Sequence, residues 1–185
     1  MSDTEQSLDG TRIAILLAPR GTEEVEFTEP KQALAEAGAD VDVVGSETGD
    51  VQTRNDDLEP GESFEVERAF SDVSADDYDG VVVPGGTVGA DTLRADEEAV
   101  EFVESHVEDR KPLAAICHGP WMLVEAGLTE GRRLTSYHSL RTDIRNAGGE
   151  WVDEEVVTDD GVVTSRNPDD LSAFCETLVD EFAAR

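Results

Sequence analysis

Short apolar runs alternate along the chain with stretches whose apolar residues recur every three or four positions. From Arg12, Ile13-Ala14-Ile15-Leu16-Leu17 runs without a polar residue, the pattern of a central strand covered on both faces. After the turn Pro19-Arg20-Gly21-Thr22, the stretch 23–37 reads as a helix with Val25, Phe27, Leu34 and Ala37 facing the core, a bend at Pro30 and a stop at Gly38. Residues 41–44 form a second strand. The stretch 45–61 is acidic and rich in turn formers, and Phe64, Val66 and Phe70 then mark short extended segments at a sheet edge. Tyr78 to Val83 is the next strand, ending in Pro84-Gly85-Gly86. One long helix follows, with Ala99, Val100, Phe102, Val103 and Val107 opposite Glu98, Glu101, Glu104 and Glu108. Leu113 to Ile116 is a further strand, and the helical pattern of 121–126 comes after it. A short strand at 133–137, a short helix at 140–147 closed by Gly148-Gly149, and a hairpin around Asp159-Asp160-Gly161 complete the middle of the chain. Asn167 caps the last helix and Pro168 opens it, with Leu171, Phe174, Cys175, Leu178 and Phe182 on one face. This order implies one α/β domain, a three-layer sandwich on a mostly parallel sheet, whose ligands bind beyond the carboxyl ends of the strands.

Three suggestive pieces share that address: the loop after the first strand, Gly85-Gly86, and Cys117-His118. The last has the layout of a nucleophile elbow, a sharp strand-to-helix turn flanked by small residues, here Ala115 and Gly119. Pro120 suits the first helical position, so the helix amino terminus lies beside the sulfur and favours a thiolate. The glycines let backbone amides come close to a substrate oxygen. With the amide of His118 as second donor, Gly86 and His118 are the expected oxyanion hole. Cys175 is expected to pack against the sheet without a catalytic role. His138 is placed at the pocket mouth, and His106, within an acidic helix, in solvent.

Composition narrows the partners. The chain has 185 residues, 38% of them hydrophobic, enough for one sizeable core; residues 1–10 are expected to be a disordered tip and 11–185 the domain. No apolar run reaches membrane-spanning length, and the polar, acidic start lacks the parts of a signal peptide, so no membrane partner and a cytoplasmic location are expected. Two cysteines far apart suit a reducing compartment. The formal net charge is -30, from 44 acidic against 14 basic residues, and only Lys31 and Lys111 are lysines. Without a basic face, nucleic acid is excluded as a partner. The acid is spread along the whole chain, as in proteins of salt-accumulating halophiles, so self-repulsion at low salt is expected: the fold should melt earlier in dilute buffer than in concentrated salt. Two cysteines and three histidines never meet at ligand spacing, and the glycine-rich pieces carry neither a phosphate-loop lysine nor a dinucleotide fingerprint, so no metal and no cofactor is expected.

Four segments together resemble the PfpI-type family of intracellular cysteine proteases and protein deglycases, in the superfamily of the Parkinson-disease protein deglycase, with its flavodoxin-like, class I glutamine amidotransferase-like fold. They are Gly21-Thr22-Glu23-Glu24-Val25-Glu26, Val83-Pro84-Gly85-Gly86, Ala115-Ile116-Cys117-His118-Gly119-Pro120, and Thr135-Ser136-Tyr137 with Asp143 to Gly148. The resemblance implies that Cys117 is the nucleophile, His118 its partner, Glu26 the acid approaching the sulfur, Tyr137 a pocket residue beside Gly85, and Asp91 a third triad member reaching in from a neighbouring subunit of a dimer or hexamer. It implies a cysteine enzyme acting on reactive carbonyls, as a deglycase or a cofactor-independent glyoxalase, on small carbonyl or glycated substrates. Peptide hydrolysis through Cys117, His118 and Asp91 is the alternative within the family. A redox-sensing stress protein or chaperone is the alternative outside catalysis. The glutaminase half of class I amidotransferases shares the elbow, but needs a His-x-Glu pair that does not follow Cys117.

Overall fold

The computed structural model describes residues 7–185. In chain order the elements are β1 (Arg12–Leu16), α1 (Glu24–Glu36), β2 (Asp40–Gly45), β3 (Gly49–Asn55), β4 (Glu59–Val66), β5 (Arg68–Ala69), β6 (Gly80–Val83), α2 (Thr87–Arg94), α3 (Glu97–Glu108), β7 (Leu113–Ile116), α4 (Trp121–Glu125), β8 (Arg133–Leu134), α5 (Arg141–Asn146), β9 (Glu150–Trp151), β10 (Val156–Asp159), β11 (Val162–Ser165) and α6 (Leu171–Ala183). Seven strands form the central sheet in the order β10-β11-β7-β6-β1-β2-β5. Every neighbouring pair is parallel except β10 with β11.

The two-residue period of the strands builds the sandwich. Along β1 and just past it, Ile13, Ile15 and Leu17 face one layer, where Phe27 and Leu34 of α1 and Phe174, Leu178 and Phe182 of α6 pack. Ala14 and Leu16 face the other, filled by Leu93, Phe102, Val103, Met122, Leu123 and Ile144 from α2 to α5. The sheet is thus buried on both sides, which is why β6, β7 and, past Arg12, β1 carry no polar residues.

Four local expectations are corrected. The acidic stretch expected to be turn contains β3, which pairs antiparallel with β4 from Gly49↔Val66 to Asn55↔Glu59 as a separate hairpin. Its ladder is made by backbone groups that need no apolar alternation, and it is tied to α1 by the ring pair Phe27–Phe64, centroids 5.1 Å apart. The single long helix is two, because Asp96 stops the first and caps the second through its side chain, which accepts from the amide of Glu98 at 3.0 Å. The strand at 133–137 is confined to Arg133–Leu134, and pairs with β9. Of the expected disordered tip, Met1–Gln6 lie outside the described residues, whereas Leu8 is buried and its amide donates to Ala37 O at 2.8 Å.

Candidate active site

The elbow forms where β7 ends. Cys117 holds φ 63°, a left-handed conformation that costs a non-glycine residue energy and recurs at functional turns. The strain is held from several sides: Cys117 N donates to Ser165 O at 3.0 Å, Gly119 N to Ile116 O at 2.8 Å, and Tyr137 N to Cys117 O at 2.8 Å. A side chain at Gly119 would meet Val83 O at 2.5 Å, so the small residue after the pair is obligatory.

The turn after β6 supplies the opposite wall. At Gly85 an added Cβ would lie 2.5 Å from Glu26 Oε1 and 2.8 Å from Cys117 Cβ, and at Gly86, with φ 91°, it would strike Gly21 O and Glu23 N. The amides of Gly86 and His118 both face the sulfur and favour its ionised form. Glu26 reaches in from α1, fully buried; its Oε1 accepts from Gly85 N at 3.1 Å. Its Oε2 has no aligned hydrogen-bond partner, and the carboxyl lies against the Cys117 thiol. His118 Nδ1 lies 3.2 Å from Cys117 Sγ. The imidazole stacks on Tyr137, centroids 4.6 Å apart, and meets the edge of Trp121 at 5.2 Å.

Electrostatics follow from this burial. Desolvation above all, then the charge of Glu23, pushes Glu26 up to about 8. Desolvation, then the charge of Glu26, pushes the Cys117 thiol well above its ordinary value. The two acids therefore do not ionise together: once Glu26 is protonated the opposing charge is gone, and the two amides still stabilise a thiolate. The expected contribution of the following helix is smaller than anticipated, since α4 has only five residues and little dipole to offer. Burial also lowers His118, which keeps its imidazole neutral and able to accept a proton.

A cavity of about 210 Å³ opens onto the sulfur, lined by Glu23, Glu26, Asp56, Asp57, Gly86, Cys117, His118, Tyr137 and Pro168. Cys117 is buried, yet it sits in a cavity wall. The structure thus brings together Cys117, His118, Glu26, Gly85, Gly86 and Tyr137. Asp91 is not with them: it is exposed on α2 and outside the cavity lining. His138 is exposed beside the Tyr137 ring, 4.4 Å between centroids. His106 is not in solvent; it is fully buried, Nε2 against Pro112 O at 2.8 Å. Cys175 is half-buried on α6, packed against the apolar layer that α1 and α6 form on one face of the sheet. Glu23, Asp56 and Asp57 went unseen in the sequence, although two adjacent aspartates, which tolerate left-handed backbone, were the available signal for a tight hairpin turn. Among the described residues no three His, Cys, Asp or Glu side chains group to hold a metal ion, and no helix is long and apolar enough to cross a membrane.

Comparison with known proteins places the chain in a family. Residues 11–181 match the DJ-1/PfpI family. The putative cysteine protease YraA of Bacillus subtilis is 42% identical over 88% of this chain and 93% of its own length. Deglycase TK1284 of Thermococcus kodakarensis is 38% identical over 89% of this chain and 96% of its own. Among solved structures, Drosophila melanogaster DJ-1beta superposes with a TM-score of 0.84 at 30% identity, covering 95% of this chain and 91% of that one. The chain belongs to the DJ-1/PfpI family.

Proposed function

We propose that this protein is a cysteine-dependent enzyme acting on reactive carbonyls, converting methylglyoxal to lactate without a cofactor or releasing early glycation adducts from amines and thiols. The observation that carries this reading is the strained Cys117 in the wall of a small cavity, with an imidazole nitrogen 3.2 Å from its sulfur and two amides facing it. Cys117 adds to the aldehyde carbon, and the thiol proton passes to the carbonyl oxygen, giving a hemithioacetal. Glu26 or His118 then moves the proton of that carbon to its neighbour, and water hydrolyses the resulting thioester to lactate and free thiol. A carboxyl titrating near 8 is partly protonated at neutral pH, so Glu26 can both give and take a proton. The amides of Gly86 and His118 stabilise the enediolate oxygen, and Tyr137 bounds the pocket.

The size of the cavity favours a small carbonyl over a peptide, which needs an open groove. Self-association through the face that carries Asp91, in a cell kept reducing, accompanies this reading.

Wild type and Cys117→Ala, compared in concentrated salt for methylglyoxal loss, lactate formation and cleavage of a fluorogenic peptide, test it. Activity should fall by about a thousandfold or more in the variant, the scale of losing a covalent nucleophile. Lactate formation surviving in Cys117→Ala would overturn the reading. Peptide cleavage without lactate would replace it with the protease.

A further inference from the structure

The turn that joins β3 to β4 enters the site at its mouth. Asp56 and Asp57 are both left-handed, φ 51° and 65°, a backbone that aspartates tolerate in a tight hairpin turn, and the tip they form is held in place. Here the holder is Glu23, just before α1: its two carboxylate oxygens accept from Asp56 N at 2.7 Å and Asp57 N at 3.0 Å. The backbone adds a second clasp, Arg54 N donating to Thr22 O at 2.8 Å. The hairpin tip is thus fastened to the start of α1, and the Asp57 side chain is aimed across the cavity mouth.

What it meets there is Thr87, the first residue of α2. Asp57 Oδ1 accepts from Thr87 N at 2.8 Å and Oδ2 from Thr87 Oγ1 at 2.7 Å. Gly86, which precedes α2, has no side chain with which to cap it, so Asp57 supplies the cap from a distant loop. A cap needs only the amide. Because the hydroxyl also gives its proton to Asp57, only its lone pairs are left for the third neighbour, His118 Nε2, at the long distance of 3.4 Å. The direction of the chain of contacts is then set by donor inventory: Asp57 only accepts, Thr87 donates to Asp57 and accepts from His118, and His118 must carry its proton on Nε2. That leaves Nδ1 as the bare nitrogen facing Cys117 Sγ.

We infer that Asp57, acting through the Thr87 hydroxyl, is the positioning residue for His118, fixing the tautomer in which Nδ1 takes the Cys117 proton. This rests on Cys117 and His118 being the reacting pair proposed above. In the step itself the S–H bond breaks, an Nδ1–H bond forms, and Nε2–H keeps its proton while the new imidazolium charge faces the Asp57 carboxylate through the hydroxyl. Asp57 is not protonated at any point. The third member of the machinery therefore comes from the same chain, from a residue other than Asp91.

The groups facing His118 are Cys117 on its own turn, Glu26 from α1, Asp57 with Asp56 and Glu23 at the hairpin tip, Tyr137 and His138 from the segment after β8, and Trp121 from α4. Of these, the charge of Asp57 favours imidazolium and that of His138 disfavours it, against a dominant lowering by burial. Removing the Asp57 charge should therefore lower the midpoint of His118, by a few tenths of a pH unit only, since Asp57 is solvent-exposed and screened.

The test uses the full chain in concentrated salt, with Asp57→Asn, Thr87→Val, Thr87→Ser and Asp91→Asn beside wild type. Three readouts are taken: the His118 ring resonance against pH, the pH profile of Cys117 alkylation by iodoacetamide, and kcat and KM for methylglyoxal. Asp57→Asn should move the His118 midpoint to lower pH and cut kcat about tenfold with KM unchanged. Thr87→Val should match that loss of kcat, and Thr87→Ser should restore it, which a mere capping role through the amide would not require. Equal kcat in Thr87→Val and Thr87→Ser would overturn the proposal, as would an unmoved midpoint in Asp57→Asn. A midpoint that moves in Asp91→Asn instead would give the role to Asp91. If wild type leaves methylglyoxal untouched, the carbonyl reading falls, and the resonance and alkylation profiles still decide the positioning role without it.

Discussion

The two ends of β7 each present a buried histidine, and only one of them belongs to a site. At the amino end, His106 reaches from α3 to Pro112 O; it is fully buried, and burial pushes it down to about 4. Its Nδ1 is buried without a partner. At the carboxyl end, His118 is also lowered by burial, but it stands between a thiol and a hydroxyl in the wall of a cavity. Loss of solvent thus neutralises both rings and distinguishes neither. The difference is that one imidazole has a proton donor on one nitrogen, an acceptor on the other and space beside it, whereas the other has one carbonyl and packing. A perturbed histidine marks a site only when its second nitrogen has something to exchange a proton with.

Two glycines, one at each end of β6, break this comparison most severely. Gly86, past the carboxyl end, has φ 91° and would push a methyl into backbone atoms of Gly21 and Glu23, which cannot move aside. Gly86→Ala should displace an amide that faces the reacting centre and lower kcat by about a hundredfold or more, the usual worth of one such donor. Gly80, at the amino end, would meet side-chain atoms, Ile13 Cδ1 at 2.8 Å and Phe182 Cδ2 at 2.9 Å. Gly80→Ala should cost roughly 1–3 kcal/mol of stability by overpacking and leave kcat per folded molecule unchanged. Thermal melts beside kcat measurements separate the two, and a loss of kcat in Gly80→Ala would erase the functional asymmetry of the strand.

The same contrast explains what could be read from the chain. The elbow and the Gly85-Gly86 turn stand out because a central parallel strand is a pure apolar run, and each run here ends in residues that only a tight turn requires. Burial of His106 was missed: Glu101, Glu104 and Glu108 around it point to a solvated side chain, although Ala99, Phe102, Val103 and His106 share one helical stripe. Asp57 was not legible. Its hairpin is held by a backbone ladder, by the carboxylates of Glu23 and Glu24 and by one aromatic pair, none of which leaves a periodic apolar trace. Motif spacing from Gly21 points to Glu26 as the acid at the sulfur, but nothing in the chain announces that Glu23, three residues earlier, bends a distant loop into the same cavity.

Stability against pH gives the finer test, because the two ends carry opposite signs. His106 binds its proton less readily folded, at about 4, than unfolded, near its ordinary 6.5, so its contribution is present above 6.5 and is lost as pH falls toward 4. Glu26 binds its proton more readily folded, at about 8, than unfolded, near 4.5, so its contribution is present below 4.5 and is lost as pH rises through 8. His106→Gln keeps a donor for Pro112 O and removes the titration. It should flatten the melting temperature between pH 4 and 6.5, where the difference amounts to at most about 3 kcal/mol. Glu26→Gln should flatten it between 4.5 and 8 instead, with a neutral amide in place of an acid that resists ionising beside the thiol. If both variants flattened the same window, the two ends of β7 would be one coupled electrostatic unit, and the division between a packed histidine and a reactive one would fail.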